Sequence, residues 1–400
     1  MSLFKSTRSY SPKIAIIDDL FPHPLCMNNW RGTEFGAYLD YFPLLFIYAT
    51  LWSRVLVDST PIESIMKQYA DSAPSEWVKR TKYVYDFENK SIKKPDLFYF
   101  IFLNNVYLSL NTIDRYKKPF LFTLYPGGGF ALDNEESDKK LRAVVSNKNF
   151  RGVLTTSNVT YRYLIDNGYC KENQILPVWG GVFKETYLKT EQYKKDRFGF
   201  GKETFDIVFT ASRYTEKGQD KGYDIFVELA KRLAQESSLF RFHVVGNFDA
   251  SVIDVSELDK SITFYGLQDA SFFDSFYRDK DLFISPNRPN VLTKGAFDGF
   301  PTGCAVDAIV RKTAAFCTDL TASPQNMGQY ISGKEIEIIG LDCAKIVDKV
   351  MHFYNHPNDL AELGDSGAKK ARELYCAKNQ ILPRIQWLED HLWRENRRLG

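Results

Sequence analysis

FDIVFTASRYTEKGQDKGYDIFVELAKRLAQ, residues 205–235, decides how this chain folds. Its first part, residues 205–212, is a short apolar run that reads as a buried parallel strand. A basic, glycine-containing loop follows. Residues 222–235 then space Ile225, Phe226, Leu229 and Leu233 along one face, which predicts an amphipathic helix. The same alternation continues towards the C-terminus. RFHVVG (241–246), SITFYG (261–266), DLFISP (281–286) and TAAFCTD (313–319) read as strands, the last of them as the final strand. ASFFDSFYRDK (270–280) and residues 303–311 read as helices between them, and from about residue 341 the pattern is helical to the end.

Towards the N-terminus the pattern has already run once. KIAIID (13–18), LLFIYAT (44–50), KPDLFYF (94–100), PFLFTLY (119–125) and RGVLTTS (151–157) read as strands. RGTEFGAYLDYF (31–42) and a segment around 161–167 read as helices, and another helical segment separates the third and fourth strands. Strands alternating with helices, twice over, predict two α/β domains with mostly parallel sheets. The junction falls in the charged stretch 185–203, which contains Gly199 and Gly201. The expected domains are residues 1–190 and 200–378, with a last helix over about 380–400 packing back on the first. Such sheets bind ligands outside the carboxyl ends of their strands. Two domains facing each other across a cleft would pool those ends.

Composition narrows the function classes. The chain has 400 residues, 44% hydrophobic and 26% charged, with 52 Lys+Arg against 50 Asp+Glu. A net charge of +2 excludes charge-driven disorder and gives no signal for a nucleic-acid partner. No apolar run reaches the roughly 18 residues of a membrane span. MSLFKSTRSYSPK at the start is polar and lacks the apolar stretch of a secretory signal. The six cysteines are scattered with no C-x-x-C pair, which points to reduced thiols and a cytoplasmic protein. The sequons at Asn89 and Asn158 are then expected to be chance.

Two stretches carry candidate chemistry. Arg213 lies just past a strand end, and Lys221-Gly222 opens the helix of the leading stretch. Fixed cations beside exposed helix-terminal N–H groups make a phosphate site. A solvated basic loop is the competing reading, and Lys217-Gly218 is a rival pair. SPNRPNVLTKGAFDGFPTGCAVDAIV (285–310) holds the second stretch. Thr302 is a plausible N-cap, and the small residues Gly303, Cys304 and Ala305 let a ligand approach. Asp298 and Asp307 stand nine positions apart and suit hydrogen bonds from sugar or ribose hydroxyls. For Asp298 the alternative is an acid satisfying the helix dipole.

These residues resemble the donor domain of family 4 glycosyltransferases of the GT-B fold, over about residues 150–320. The strand, Arg, Lys-Gly, helix order is similar at Arg213 and Lys221-Gly222, and the strand-Gly segment at Gly246. FISPN resembles the family's Pro-Ser strand end, and Asp298-Gly299-Phe300 its acidic, Gly, Phe loop. The SNVTYRYLIDNGYCKENQILPVWGGVF stretch resembles the end of the family's first domain, with Gly181-Val182 matching a Gly-Val pair. The chain departs from the family in carrying two Asp where two more closely spaced Glu are usual, and Tyr125-Pro126 where a His often ends a strand.

The resemblance implies two Rossmann-like domains and a metal-independent hexosyltransferase that retains anomeric configuration, with no permanently bound cofactor. Arg213 and Lys221 would clamp the diphosphate of a nucleotide-sugar, offsetting charge on the leaving group. Asp298 would hold sugar hydroxyls and Asp307 the ribose, with Gly246, Gly299, Phe300, Pro301 and Thr302 lining the donor site. In the first domain, Gly32 beside Arg31 would open a helix under the diphosphate, and Gly128 and Gly129 of PGGGF would offer backbone amides to a phosphate or the acceptor, with a tight βα turn as the competing reading. The implied partners are a nucleotide-sugar and a glycan, lipid-linked glycan or glycoprotein acceptor in polysaccharide assembly, with peripheral contact at the inner membrane face and a homo-oligomer as further expectations. A non-catalytic partner subunit, a nucleotide-sugar epimerase and a glycan phosphorylase are the alternatives.

Other motifs are set aside. Asp279-Lys280-Asp281 is a D-x-D, but it precedes a strand instead of following one. The five histidines His23, His243, His352, His356 and His391 are not read as a metal set: His243 falls inside a strand, and His352 and His356, four apart, lie in a peripheral helix ending at Pro357. The C-terminal helix places Ile385, Leu388 and Leu392 on one side. Docking on the first domain is preferred there to a basic lipid-binding surface.

Overall fold

Among the described residues of the computed structural model every strand pairing is parallel, and the strands form two sheets. The structure describes residues 13–27, 29–56, 59–88, 92, 94–189, 193–320 and 330–399. The strands are β1 Ile14–Asp18, β2 Leu45–Ala49, β3 Thr81–Tyr83, β4 Leu97–Ile101, β5 Phe120–Leu124, β6 Phe150–Thr155 and β7 Ile175–Pro177 in the first sheet. The second sheet holds β8 Phe205–Thr210, β9 Phe240–Val245, β10 Ile262–Phe264, β11 Leu282–Ser285, β12 Ala314–Thr318 and β13 Glu337–Ile339. Their orders are β3-β2-β1-β4-β5-β6-β7 and β10-β9-β8-β11-β12-β13. Each order grows outward in both directions from its first strand, the doubly wound arrangement. The winding reverses between β1 and β4 in one sheet and between β8 and β11 in the other.

The chain divides into two compact units, Met1–Phe183 with Ala377–Gly400, and Lys184–Cys376. In the first, β1, β4 and β5 are buried along their whole length because helices cover both faces. The helix Trp30–Tyr41 lays Phe35, Tyr38 and Leu39 against them, and the last helix, Ile381–Leu399, adds Ile385, Leu388 and Leu392. That apolar face is spent on the core, so it is not free for a lipid surface. No helix among the described residues is long and apolar enough to cross a membrane. In the second unit the helix Tyr223–Glu236 buries Ile225, Phe226, Leu229 and Leu233, the face that the helical spacing predicts.

TAAFCTD is not the last strand: β13 pairs with β12 beyond it. β3, β7 and β13 are three residues each, too short to show any periodicity. The opening segment up to residue 12 and Asn89 lie outside the described residues. Asn158 is buried.

Candidate active site

The carboxyl ends of β8 and β11 lie side by side at the reversal point of the second sheet, and the loops 211–222 and 286–302 leave from them. Lys221, only 9% exposed, ends a 3-10 turn, Gln219–Lys221, on the first loop. Its Nζ donates to both carboxylate oxygens of Asp298 on the second loop, at 2.8 Å each. Asp220 stands 3.7 Å away and the Tyr214 ring centroid 5.2 Å away. Burial works against the charge on Lys221, but the two carboxylates outweigh it and hold its pKa above the ordinary lysine value. Asn287 Nδ2 also donates to Asp298, at 2.6 Å. Thr302 accepts from the Ala305 N–H and caps the helix Gly303–Ile309. A small depression lies here, lined by Ser285, Asn287, Asp298, Gly299, Phe300 and Thr302 among others. Pro301, next to it, is buried, whereas Lys217 of the rival pair is exposed.

Glycines around this point fall into two groups. Gly222 has φ +71°, and a Cβ there would lie 2.0 Å from the Pro286 carbonyl oxygen. Gly246 has φ +133°, and its Cβ would lie 1.9 Å from the Ala211 carbonyl oxygen. Both are glycine because another backbone passes too close. Gly222→Ala is therefore expected to cost the second unit more than about 1 kcal/mol, read as a lower urea midpoint. An unchanged midpoint would contradict the contact. Gly299 and Gly303 differ: a Cβ at either would meet nothing within 4 Å. Among the described residues, the protein's own packing gives no reason for glycine at these two positions.

One expectation is corrected by the local geometry. The helix tip at Lys221-Gly222 is not open. The N–H groups of Lys221 and Tyr223 donate to the Gly218 carbonyl, and that of Gly222 to Gln219, because the 3-10 turn runs directly into the helix. The Arg213 guanidinium is held in place: Nε donates to the Asn247 carbonyl at 3.0 Å and Nη1 to that of Glu216 at 2.7 Å. Asn247 also accepts from the Arg213 N–H, so the residue after Gly246 fixes the arginine. Asp307 sits apart from the Lys221–Asp298 pair in its bonding. It lies 3.6 Å from Arg311, which bonds Asp274 and covers the Tyr187 ring. Burial pushes the Asp307 carboxyl up to about 6 against the pull of Arg311.

In the first unit packing accounts for the candidate glycines. Gly32 lies inside the helix Trp30–Tyr41, and a Cβ would meet the carbonyls of Met27 and Cys26 at 2.4 and 2.5 Å. Gly128 and Gly129 have φ of +55° and +93° in a tight turn closed by a Gly127–Phe130 bridge. Phe102 and Asn104 fill the space that their side chains would need. Arg31 is buried between Asp18 and Asp19, at 3.0 and 3.1 Å, with Phe102 and Trp30 against its guanidinium.

The chain matches no protein-family model and no curated protein sequence. Solved structures do match along nearly its whole length. Anabaena HepE in complex with UDP and glucose aligns with a TM-score of 0.66 at 13% identity, over 96% of this chain and 100% of that one. A glycosyltransferase from Rickettsia africae gives 0.63 at 13%, over 96% and 99%. A sucrose-phosphate synthase from Thermosynechococcus elongatus gives 0.60 at 14%, over 96% and 99%. The chain has the GT-B fold.

Within this GT-B chain, sequence reasoning missed several residues at the candidate site. Asn287 reaches Asp298, Asp220 flanks Lys221, and Asn247 holds Arg213. SPN at a strand end hinted at the first of these. The D-x-D lies at the amino end of β11, away from the GT-B switch point. Asp281 bonds Lys202 and the N–H groups of Asp206 and Phe198 there. His243 bridges Asp206 at 2.6 Å and Tyr265 at 2.9 Å, a structural role.

Proposed function

We propose that this GT-B protein is a glycosyltransferase that moves a hexosyl group from a nucleoside-diphosphate donor to an acceptor hydroxyl. Retention of configuration, independence from metal, and a setting in cytoplasmic polysaccharide or glycoconjugate assembly belong to the same reading. The second unit is the donor-binding domain and the first serves the acceptor. One observation carries it: a buried ammonium, Lys221, meets Asp298 at the switch point of the second sheet, beside two glycines that packing does not require.

A diphosphate competes with the Asp298 carboxylate for Lys221. Once it has taken the ammonium, Asp298 is left free to accept hydrogen bonds from sugar hydroxyls. Lys221 then offsets the charge that grows on the departing diphosphate. Gly299 and Gly303 let the donor come against the backbone. Arg213 contributes positive charge from a position that Asn247 fixes, and Asp307 is assigned to the ribose.

In a chelator-containing buffer, a panel of nucleoside diphosphates is expected to raise the melting temperature, with one base preferred. Ligand at a hundred times its Kd adds about 2.7 kcal/mol of stability. No shift with any diphosphate would sink the reading, and a shift seen only with Mg²⁺ or Mn²⁺ would sink its metal independence. The Arg213 bonds to two carbonyls favour a second reading, a non-catalytic subunit that keeps the fold. Donor binding without hydrolysis or transfer would favour that one.

A further inference from the structure

The turn joining the helices Cys343–Asn355 and Pro357–Tyr375 gathers three side chains that the proposed reaction does not use. His352 lies in the last turn of the first helix, and His356 follows four residues later as its C-cap, so the two imidazoles stand one above the other. Their rings stack with centroids 4.5 Å apart and planes at 28°. Pro357 starts the next helix at once, and its first turn brings Asp359 back towards them. Asp359 Oδ2 lies 3.4 Å from His352 Nε2. One ligand atom from each of the three residues lies within 4.8 Å of the others.

We propose that His352, His356 and Asp359 bind a divalent transition-metal ion of the zinc class. The donor set is the first argument. Two imidazoles and one carboxylate suit Zn²⁺, Co²⁺ or Ni²⁺, whereas Mg²⁺ and Ca²⁺ prefer oxygen alone. The spacing is the second. Two donors each about 2.0–2.1 Å from a tetrahedral ion stand about 3.4 Å apart, the separation already present between His352 and Asp359. Orientation is the third. His356 Nδ1 donates to the His352 carbonyl at 2.8 Å, which fixes the tautomer and leaves the Nε2 lone pair for a metal. All three groups are exposed, so an ion arrives from solvent without opening the fold.

Three protein ligands leave a position for water. The ion ties the end of one helix to the start of the next. That second helix packs closely: Cβ atoms at its Gly364 and Gly367 would meet the Lys312 and Glu335 carbonyls at 2.5 and 2.4 Å. The ion therefore fixes the start of a helix that lies against the backbone just before β12 and β13.

Co²⁺ titrated into the full chain tests this by absorption. The expected result is one equivalent bound, with the visible bands of a four- or five-coordinate ion, displaced by Zn²⁺. His352→Ala, His356→Ala and Asp359→Asn should each weaken binding about tenfold or more. Zn²⁺ should raise the melting temperature of the wild type but not of the His352→Ala/His356→Ala double variant, whose circular dichroism should match the wild type. A thiolate charge-transfer band would assign the ion to one of the six cysteines instead and overturn the proposal. So would equal binding by the double variant, or a Kd above about 1 mM.

Discussion

Arg384→Met is expected to destabilise the first unit by about 3–5 kcal/mol, the usual cost of stripping one partner from a buried charged cluster. Arg384 is fully buried on the last helix. Its Nη1 donates to the Gln380 carbonyl and to Gln380 Oε1, and its Nη2 to the Gly180 carbonyl. Its Nε lies 3.8 Å from Glu34, which is also fully buried. Glu34 in turn accepts from the hydroxyls of Tyr38, Tyr99 and Tyr125 at 2.8, 2.9 and 3.2 Å. Burial pushes all three tyrosines above their ordinary pKa, and Glu34 pushes further, so they stay neutral donors. Removing the guanidinium leaves Glu34 buried with only neutral partners. Urea unfolding checks the loss. Adding Glu34→Gln to Arg384→Met should recover part of it, because no charge is then left behind. A loss under about 1 kcal/mol in the single variant would mean that the cluster does not hold the last helix in place.

Lys221→Ala is expected to lower nucleoside-diphosphate affinity by roughly 10- to 200-fold, from the 1.5–3 kcal/mol of a charge-assisted bond. The substitution acts twice: it removes the cation, and it leaves Asp298 as a bare carboxylate facing the phosphates. Asp298→Asn separates the two effects. It keeps the shape and the Asn287 contact while removing the negative charge, so diphosphate affinity should hold or rise while sugar transfer falls. Calorimetry with the preferred diphosphate and a turnover assay give the two readings. Wild-type affinity in Lys221→Ala would refute the assignment, and equal losses of affinity in both variants would remove Asp298 from the sugar side. The pH dependence has a definite sign. The pKa of Lys221 is raised, so the lysine keeps its charge through the neutral range, and its contribution to the pair is lost as pH climbs through that raised value.

Local pattern made the two α/β units legible. An amphipathic helix such as Tyr223–Glu236 repeats its buried face every turn, and a parallel strand such as β5 is apolar throughout, so few residues suffice to read either. The loops around Lys221 and Asp298 were legible for the same reason, because they begin where such strands stop. The three-residue strands β3, β7 and β13 were not, since they show no period, whereas β10, equally short, was read from the apolar residues of SITFYG.

The sequence by itself determined the alternation of strands and helices in two α/β units, and which loops leave the carboxyl ends of β8 and β11. Only the tertiary structure decided what each polar side chain faces. Lys221 meets Asp298 across 77 residues, and Arg384 lies beside Glu34 from the opposite end of the chain. Gly222 and Gly246 are held by neighbouring backbone while Gly299 and Gly303 are not. The reason is physical. Burial of a face is written in residue spacing along one element, but a hydrogen bond, an ion pair or a close backbone approach depends on a second segment that spacing does not identify.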